Sequence, residues 1–318
     1  MEAARTTNSG NTAATAADGA LADYFAAYDK LMSRWTVPVE TADVPSAFGS
    51  TRVNICGPAD APPLVLLHGG RTNSAYWFAT AGELARTRRV YALDTIGDPG
   101  RSRNDGRPLR TREDLMVWLT AVLDGLGIER ADFCGHSFGS WICLVYALRG
   151  PQGRVRRLAL LDPTQCFAGF APACLWRALP GLLRPGKSAE PYLAWEAGGV
   201  PYDPDWLAMQ RLGARFPVGK VISGRRPTPE ALQALRIPVL VLLAERSRVH
   251  DIRKVGEVAR RSLSAVTVDT LPGVSHHLIP FTRPEQLNRR LADFFEAESS
   301  KGTKSSKGAE SSKGTAGS

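Results

Sequence analysis

The chain has 318 residues, of which 43% are hydrophobic and 22% are charged, and its formal net charge is +9. This composition is typical of a soluble globular protein, and the apolar runs fall far short of the roughly 20 residues that a membrane-spanning helix needs. The five cysteines show no C-x-x-C spacing, so neither a disulfide framework nor a metal site is expected. The arginines lack an aromatic-interleaved basic motif, so nucleic-acid binding is not expected either.

The two ends of the chain have the composition of flexible tails. Residues 1–19 are rich in Ala, Thr, Asn and Gly without periodicity, and residues 299–318 repeat the tetrapeptide SSKG. Such polar, low-complexity segments cannot bury a core. Because the first tail also lacks the apolar stretch of a signal peptide, a cytoplasmic location is expected.

Between the tails, strand-like and helix-like segments alternate. Seven segments predict strands: TRVNIC (51–56), PLVLLHG (63–69), RVYALD (89–94), ADFCGHS (131–137), RVRRLALLD (154–162), VLVLLAE (239–245) and AVTVDTL (265–271). Helical periodicity occupies 111–126, the segment after Ser137, 251–263 and 283–298. This alternation predicts an α/β fold with a mostly parallel sheet and helices on both faces.

One stretch interrupts the alternation. Residues 164–236 stand between two predicted strands and are too long for a loop without secondary structure. We therefore expect a core built from residues 20–163 and 237–298, with an inserted, mainly helical cap over 164–236.

The segment GHSFG at 135–139 is the first candidate for chemistry. It follows the predicted strand ADFC and precedes the helical segment SWICLVYALRG. A G-x-S-x-G sequence between a strand and a helix is typical of a sharp turn that exposes the serine oxygen. Ser137 is thus a candidate nucleophile, which requires a base within hydrogen-bonding reach.

Two further segments extend this pattern to a resemblance with the α/β-hydrolase family over roughly residues 50–298. LLHGGR (66–71) is similar to the family's loop after an early strand, and LPGVSHHLIP (271–280) is similar to its histidine loop after the last strand. The resemblance implies a serine hydrolase that needs no cofactor.

The same resemblance assigns roles to individual positions. It implies that the backbone N–H groups of Gly70 and Phe138 form an oxyanion hole. It also implies that His276 is the general base and acid, with His277 as the alternative. A nucleophilic serine argues against membership of the dehalogenase and epoxide-hydrolase branches of the family, which use an aspartate nucleophile.

The acid that completes a catalytic triad is not fixed by the sequence. The family's usual position, two residues after VLVLLAE, holds Ser247, which carries no negative charge. Asp162, at the end of the preceding strand, is the favoured candidate. Glu245 and Asp251 remain alternatives, although Asp251 also suits the N-cap of the helix that follows, and the absence of any acid is a further possibility.

The substrate is expected to be a hydrophobic ester, thioester or lactone of small size, because the predicted cap is slightly enriched in aromatic residues. Trp176 and Trp195 are candidate pocket residues, and Arg71 is a candidate partner for a substrate carboxylate. The substituted acid position keeps a second interpretation open, in which the same fold transfers acyl groups, eliminates, cleaves C–C bonds or only binds ligands.

A competing motif points to another class of protein. GLLRPGKS (181–188) fits the phosphate-binding pattern G-x-x-x-x-G-K-S, with Lys187 and Ser188 in the phosphate-binding positions. However, no predicted strand precedes it, and Pro191 interrupts the helix that should follow. Nucleotide binding is therefore the remote alternative.

Overall fold

The computed structural model describes residues 9–183, 189–216, 222 and 225–297. In this part of the chain, one sheet contains the strands β1 (Glu40–Ser46), β2 (Gly49–Cys56), β3 (Pro63–Leu67), β4 (Arg89–Leu93), β5 (Ala131–His136), β6 (Val155–Leu161), β7 (Val239–Ala244) and β8 (Val266–Leu271). Their order across the sheet is β1-β2-β4-β3-β5-β6-β7-β8. β2 is antiparallel to both β1 and β4, and all other neighbours are parallel. The predicted α/β fold is confirmed.

Helices cover both faces of the sheet. Outside the insertion they are α1 (Ser9–Met32), α2 (Ala81–Leu84), α3 (Arg112–Gly125), α4 (Phe138–Arg149), α9 (Ile252–Ser262) and α10 (Pro284–Glu296). Buried side chains of α3, α4 and α9 form the core on one face, and those of α1, α2 and α10 form the core on the other. The helical runs predicted over 111–126, after Ser137, over 251–263 and over 283–298 are thus present as α3, α4, α9 and α10.

The insertion between β6 and β7 is helical. Its helices are α5 (Pro172–Leu183), α6 (Glu190–Ala197), α7 (Pro204–Gly213) and α8 (Pro229–Ala234). Lys187 and Ser188 of the phosphate-loop pattern lie outside the described residues, as does the tail over 299–318. No helix in the described ranges is long and apolar enough to cross a bilayer.

The N-terminal part of the chain differs most from expectation. Helix α1 begins at Ser9, inside the segment whose composition predicts a flexible tail. Its alanine content explains the difference, because alanine has the highest intrinsic helix propensity. Tyr24, Tyr28 and Leu31 are buried against the core at helical spacing, so the later part of α1 is fixed by packing. Strand β1 was likewise absent from the sequence prediction.

Candidate active site

Ser137 lies in a strained turn between β5 and α4. Its backbone has φ 55° and ψ −115°, a conformation that is costly for a residue with a side chain. The flanking glycines make the turn possible: a methyl group on Gly139 would lie 2.3 Å from the carbonyl oxygen of Leu67, and one on Gly135 would lie 2.4 Å from the backbone of Gly139. The G-x-S-x-G glycines are therefore required by close backbone approach.

The structure brings Ser137, His276 and Asp162 into one hydrogen-bonded chain. The Oγ of Ser137 lies 2.8 Å from Nε2 of His276, and Nδ1 of His276 lies 2.6 Å from Oδ2 of Asp162. With Nδ1 protonated, the ring donates to the carboxylate and accepts the serine proton at Nε2. This is the geometry of an activated serine nucleophile.

Asp162 directly follows β6 and lies beside the end of β7, where its backbone N–H donates to the carbonyl oxygen of Leu242. The other two carboxylates are engaged elsewhere. Glu245 accepts a hydrogen bond from the backbone N–H of Gly273 at 2.6 Å. Asp251 caps α9 by accepting from the N–H groups of Arg253 and Lys254. Neither carboxylate contacts His276 among the described hydrogen bonds.

The Asp162 carboxylate is completely buried and accepts four hydrogen bonds. Besides His276, its donors are the backbone N–H of Ala244 at 3.1 Å, the hydroxyl of Ser247 at 2.7 Å and Nε2 of His250 at 3.0 Å. Ser247, which occupies the family's usual acid position, thus becomes a donor to an acid on the neighbouring strand. A fully saturated carboxylate of this kind is held in one orientation.

Burial and neighbouring charges shift the pKa values of Asp162 and His276 in opposite directions. Burial alone disfavours ionisation of Asp162, but the charge and hydrogen bonds of His250 and His276 hold its pKa well below the usual range. Burial lowers the pKa of His276 from its ordinary value of 6.5, and the Asp162 carboxylate offsets part of that effect. Asp162 is therefore ionised, and His276 is neutral, at neutral pH.

The backbone of His276 is also fixed on both sides. Its carbonyl oxygen lies 3.0 Å from Nε2 of His136, which donates to it. The remaining ring nitrogen of His136 accepts from the hydroxyl of Tyr76 at 3.0 Å. The backbone N–H of His276 donates to Oε1 of Glu196 on α6 at 2.7 Å. The imidazole is consequently held by its main chain as well as by its ring.

The two predicted oxyanion-hole positions lie next to each other. A methyl group on Gly70 would be 3.6 Å from Cβ of Phe138, the first residue of α4. The loop that carries Gly70 is held by His68, whose Nδ1 donates to the carbonyl of Gly69 at 2.7 Å and whose Nε2 accepts from the N–H of Thr95 at 2.9 Å. That the two backbone N–H groups converge on an oxygen bound near Ser137 stays a prediction.

The predicted substrate-contact residues are placed less favourably. Trp176 lies on α5 with 74% of its surface exposed, so its role in substrate binding stays a prediction. Trp195 is half-buried, with the guanidinium groups of Arg177 and Arg248 over its ring. Arg71 is exposed and its N–H donates to Asp98. The roles of Arg71 and Trp195 in substrate binding stay predictions.

Three further residues of the site had no assigned role in the sequence analysis. Ser247 and His250 were missed because their function depends on which strand supplies the acid. Their spacing after β7, three residues apart in a loop that begins beside Asp162, is a weak signal in retrospect. The sequence carried no signal for Glu196, because nothing in the segment EPYLAWEA distinguishes this residue from a surface glutamate. No group of three or more metal-ligating side chains occurs in the described ranges.

The strand–serine–helix turn and the histidine loop allow a direct comparison with known families. Residues 64–290 match the model of the alpha/beta hydrolase family. The chain belongs to this family. The match spans the strands that carry Ser137, Asp162 and His276, so it covers the whole of the candidate site.

Individual relatives in this family are carboxylesterases that match nearly the full chain. The carboxylesterase YbfK of Bacillus subtilis (strain 168) is 29% identical over 85% of this chain and 93% of its own length. The uncharacterized carboxylesterase nap of the same strain is 30% identical over 87% of this chain and 93% of its own.

Solved structures give the same picture. The crystal structure of carboxylesterase CesB (YbfK) from Bacillus subtilis superposes with a TM-score of 0.81 at 28% identity, covering 87% of this chain and 98% of that one. Naproxen esterase (carboxylesterase NP) from Bacillus subtilis gives 0.77 at 29% identity, covering 86% and 96%. The fold is thus similar to that of these esterases over most of both chains.

Proposed function

We propose that this protein is a serine carboxylesterase that hydrolyses esters of apolar small molecules through a covalent acyl-enzyme. The observation that carries the proposal is the continuous hydrogen-bonded chain from Ser137 through His276 to Asp162, with contacts of 2.8 and 2.6 Å. The similarity to carboxylesterases supports the ester as the bond attacked. The helices α5–α8 act as a cap over the site, and their aromatic side chains favour an apolar acyl group.

A cytoplasmic location agrees with five cysteines that are all free and buried.

Acylation begins with proton transfer from Ser137 to Nε2 of His276 as the serine oxygen attacks the ester carbon. The imidazolium that forms is stabilised by the ionised Asp162, which keeps its own charge. The carbonyl oxygen becomes an oxyanion between the N–H groups of Gly70 and Phe138. His276 then gives its proton to the departing alcohol, which leaves the acyl group on Ser137.

Deacylation repeats these steps with water in place of the serine hydroxyl. His276 removes a proton from the water molecule, the resulting hydroxide attacks the acyl carbon, and the same two N–H groups bind the second oxyanion. Return of the proton to Ser137 releases the carboxylic acid. A thioester or lactone fits the same sequence of steps with a thiol or an internal hydroxyl as leaving group.

We expect a p-nitrophenyl ester of a short fatty acid to be hydrolysed with a kcat/KM that falls on the acid side with an apparent pKa below 6.5. His276 must be neutral to accept the serine proton, and burial lowers its pKa, so activity persists until the pH drops through that lowered value. Initial rates between about pH 4.5 and 9 give the profile.

Two outcomes of that experiment would contradict the proposal. An acid limb centred above about pH 7 would be incompatible with a buried base of lowered pKa. The second outcome is that esters bind without release of p-nitrophenol, or that release stops after one p-nitrophenol per enzyme molecule. Either result would favour ligand binding or acyl transfer on the same fold.

A further inference from the structure

Glu196 is a buried carboxylate that the proposed reaction steps do not use. It lies on α6 of the cap, and only 1% of its surface is exposed. An ionised side chain persists in such a place only when hydrogen bonds replace its lost hydration. The partners of Glu196 therefore indicate what the residue does.

Those partners lie almost entirely on the loop of the catalytic histidine. Oε1 accepts from the N–H of His276 at 2.7 Å. Oε2 accepts from the hydroxyl of Ser275 at 3.0 Å and from Nδ1 of His277 at 3.2 Å. Tyr202, elsewhere in the cap, donates to the same oxygen at 3.2 Å. One carboxylate thus joins the cap to three consecutive residues around the base.

We propose that Glu196 is a positioning residue through which the cap holds and electrostatically supports the catalytic base His276. The inference rests on the proposed function, because it assumes that His276 is the base. Burial opposes ionisation of Glu196, but the hydrogen bonds from His277 and from the main chain of His276 hold its pKa at about 2. It is consequently a fixed negative charge throughout the working pH range.

This charge adds to the other groups around the His276 ring. Those other groups are Asp162 at the end of β6, His136 at the end of β5, His250 after β7 and His277 on the same loop as His276. The carboxylates of Asp162 and Glu196 favour the protonated imidazole, whereas burial and the neighbouring His277 disfavour it. Neutralising Glu196 should therefore lower the pKa of His276.

The variant Glu196→Gln tests this inference, because it keeps the size of the side chain and removes its charge. We expect kcat/KM to fall roughly 10- to 100-fold, as small displacements of a catalytic group cause, with most of the loss in kcat. The acid limb of the profile and the NMR titration of His276, assigned by its absence in His276→Gln, should both move to lower pH. The matched control is Glu190→Gln, which removes a carboxylate of the same helix that pairs with Arg211.

The NMR titration separates this inference from the proposed function, since it needs no turnover. Absence of ester hydrolysis in the wild-type protein would overturn the proposed function. An unchanged His276 titration in Glu196→Gln, with kcat/KM within about twofold of the control, would overturn the role of Glu196. If Glu196→Gln does not fold, Glu196→Asp is the deciding variant, because it keeps the negative charge but moves the carboxylate away from the histidine loop. Wild-type turnover in Glu196→Asp would overturn the inference. Reduced turnover with a nearly unchanged His276 titration would support it.

Discussion

Replacing Ser137 with alanine is expected to lower kcat for ester hydrolysis by on the order of 10⁶, the effect of removing a serine nucleophile from a hydrogen-bonded triad. The loss is this large because the acyl-enzyme on residue 137 cannot form without the serine hydroxyl. Ester binding should change little, since the proposed oxyanion donors are backbone groups of Gly70 and Phe138. Steady-state rates and a binding titration with a non-hydrolysable analogue measure the two effects separately.

A control serine should leave turnover intact. Ser33 is exposed at the end of α1, where its hydroxyl bonds the carbonyl of Lys30, so Ser33→Ala should retain wild-type rates. If Ser137→Ala kept more than about one hundredth of the wild-type kcat, the covalent mechanism at this serine would be wrong.

Asp162→Asn is expected to lower kcat by about 10³-fold or more. An asparagine cannot carry the charge that stabilises the His276 imidazolium. Its amide also presents N–H groups where the carboxylate now accepts from Ser247, His250 and His276. The imidazole would then be held in the wrong tautomer or turned away from Ser137. Rates measured alongside circular dichroism separate this effect from loss of folding.

Glu245 and Asp251, the alternative candidates for the triad acid in the sequence analysis, provide matched controls. Glu245→Gln and Asp251→Asn should each keep kcat within a few-fold of wild type, because Glu245 bonds only Gly273 and Asp251 only caps α9 in the described contacts. Near-normal turnover in Asp162→Asn, or a loss of comparable size in either control, would remove Asp162 from its proposed position as the acid.

Local sequence patterns were sufficient for much of the fold and for two residues of the site. Ser137 belongs to a segment whose strand-turn-helix context is visible in the sequence, whereas His276 was assigned from the resemblance of its loop to the family's histidine loop. The structure places these side chains 2.8 Å apart. The buried strands were likewise predictable, since parallel strands covered on both faces form continuous apolar runs. Helix α1 was missed, although the spacing of Tyr24, Tyr28 and Leu31 is helical.

Long-range contacts account for what the sequence did not determine. Choosing Asp162 over Glu245 depends on how the ends of β6 and β7 lie against the histidine loop, which no local pattern encodes. Glu196 is 80 residues away from His276 along the chain, and only packing of the cap reveals their contact. In both cases, burial with complete hydrogen bonding distinguishes the carboxylate from one at the protein surface.

The central claim is that His276 and Asp162 activate the hydroxyl of Ser137. Intact-mass analysis after brief exposure to a serine-directed fluorophosphonate, followed by peptide mapping, tests it without knowledge of the substrate. We predict one adduct for each protein molecule, located on Ser137, with little labelling in Asp162→Asn over the same time. A folded wild-type protein that remains unlabelled by a small probe, or that is labelled elsewhere, would contradict the claim.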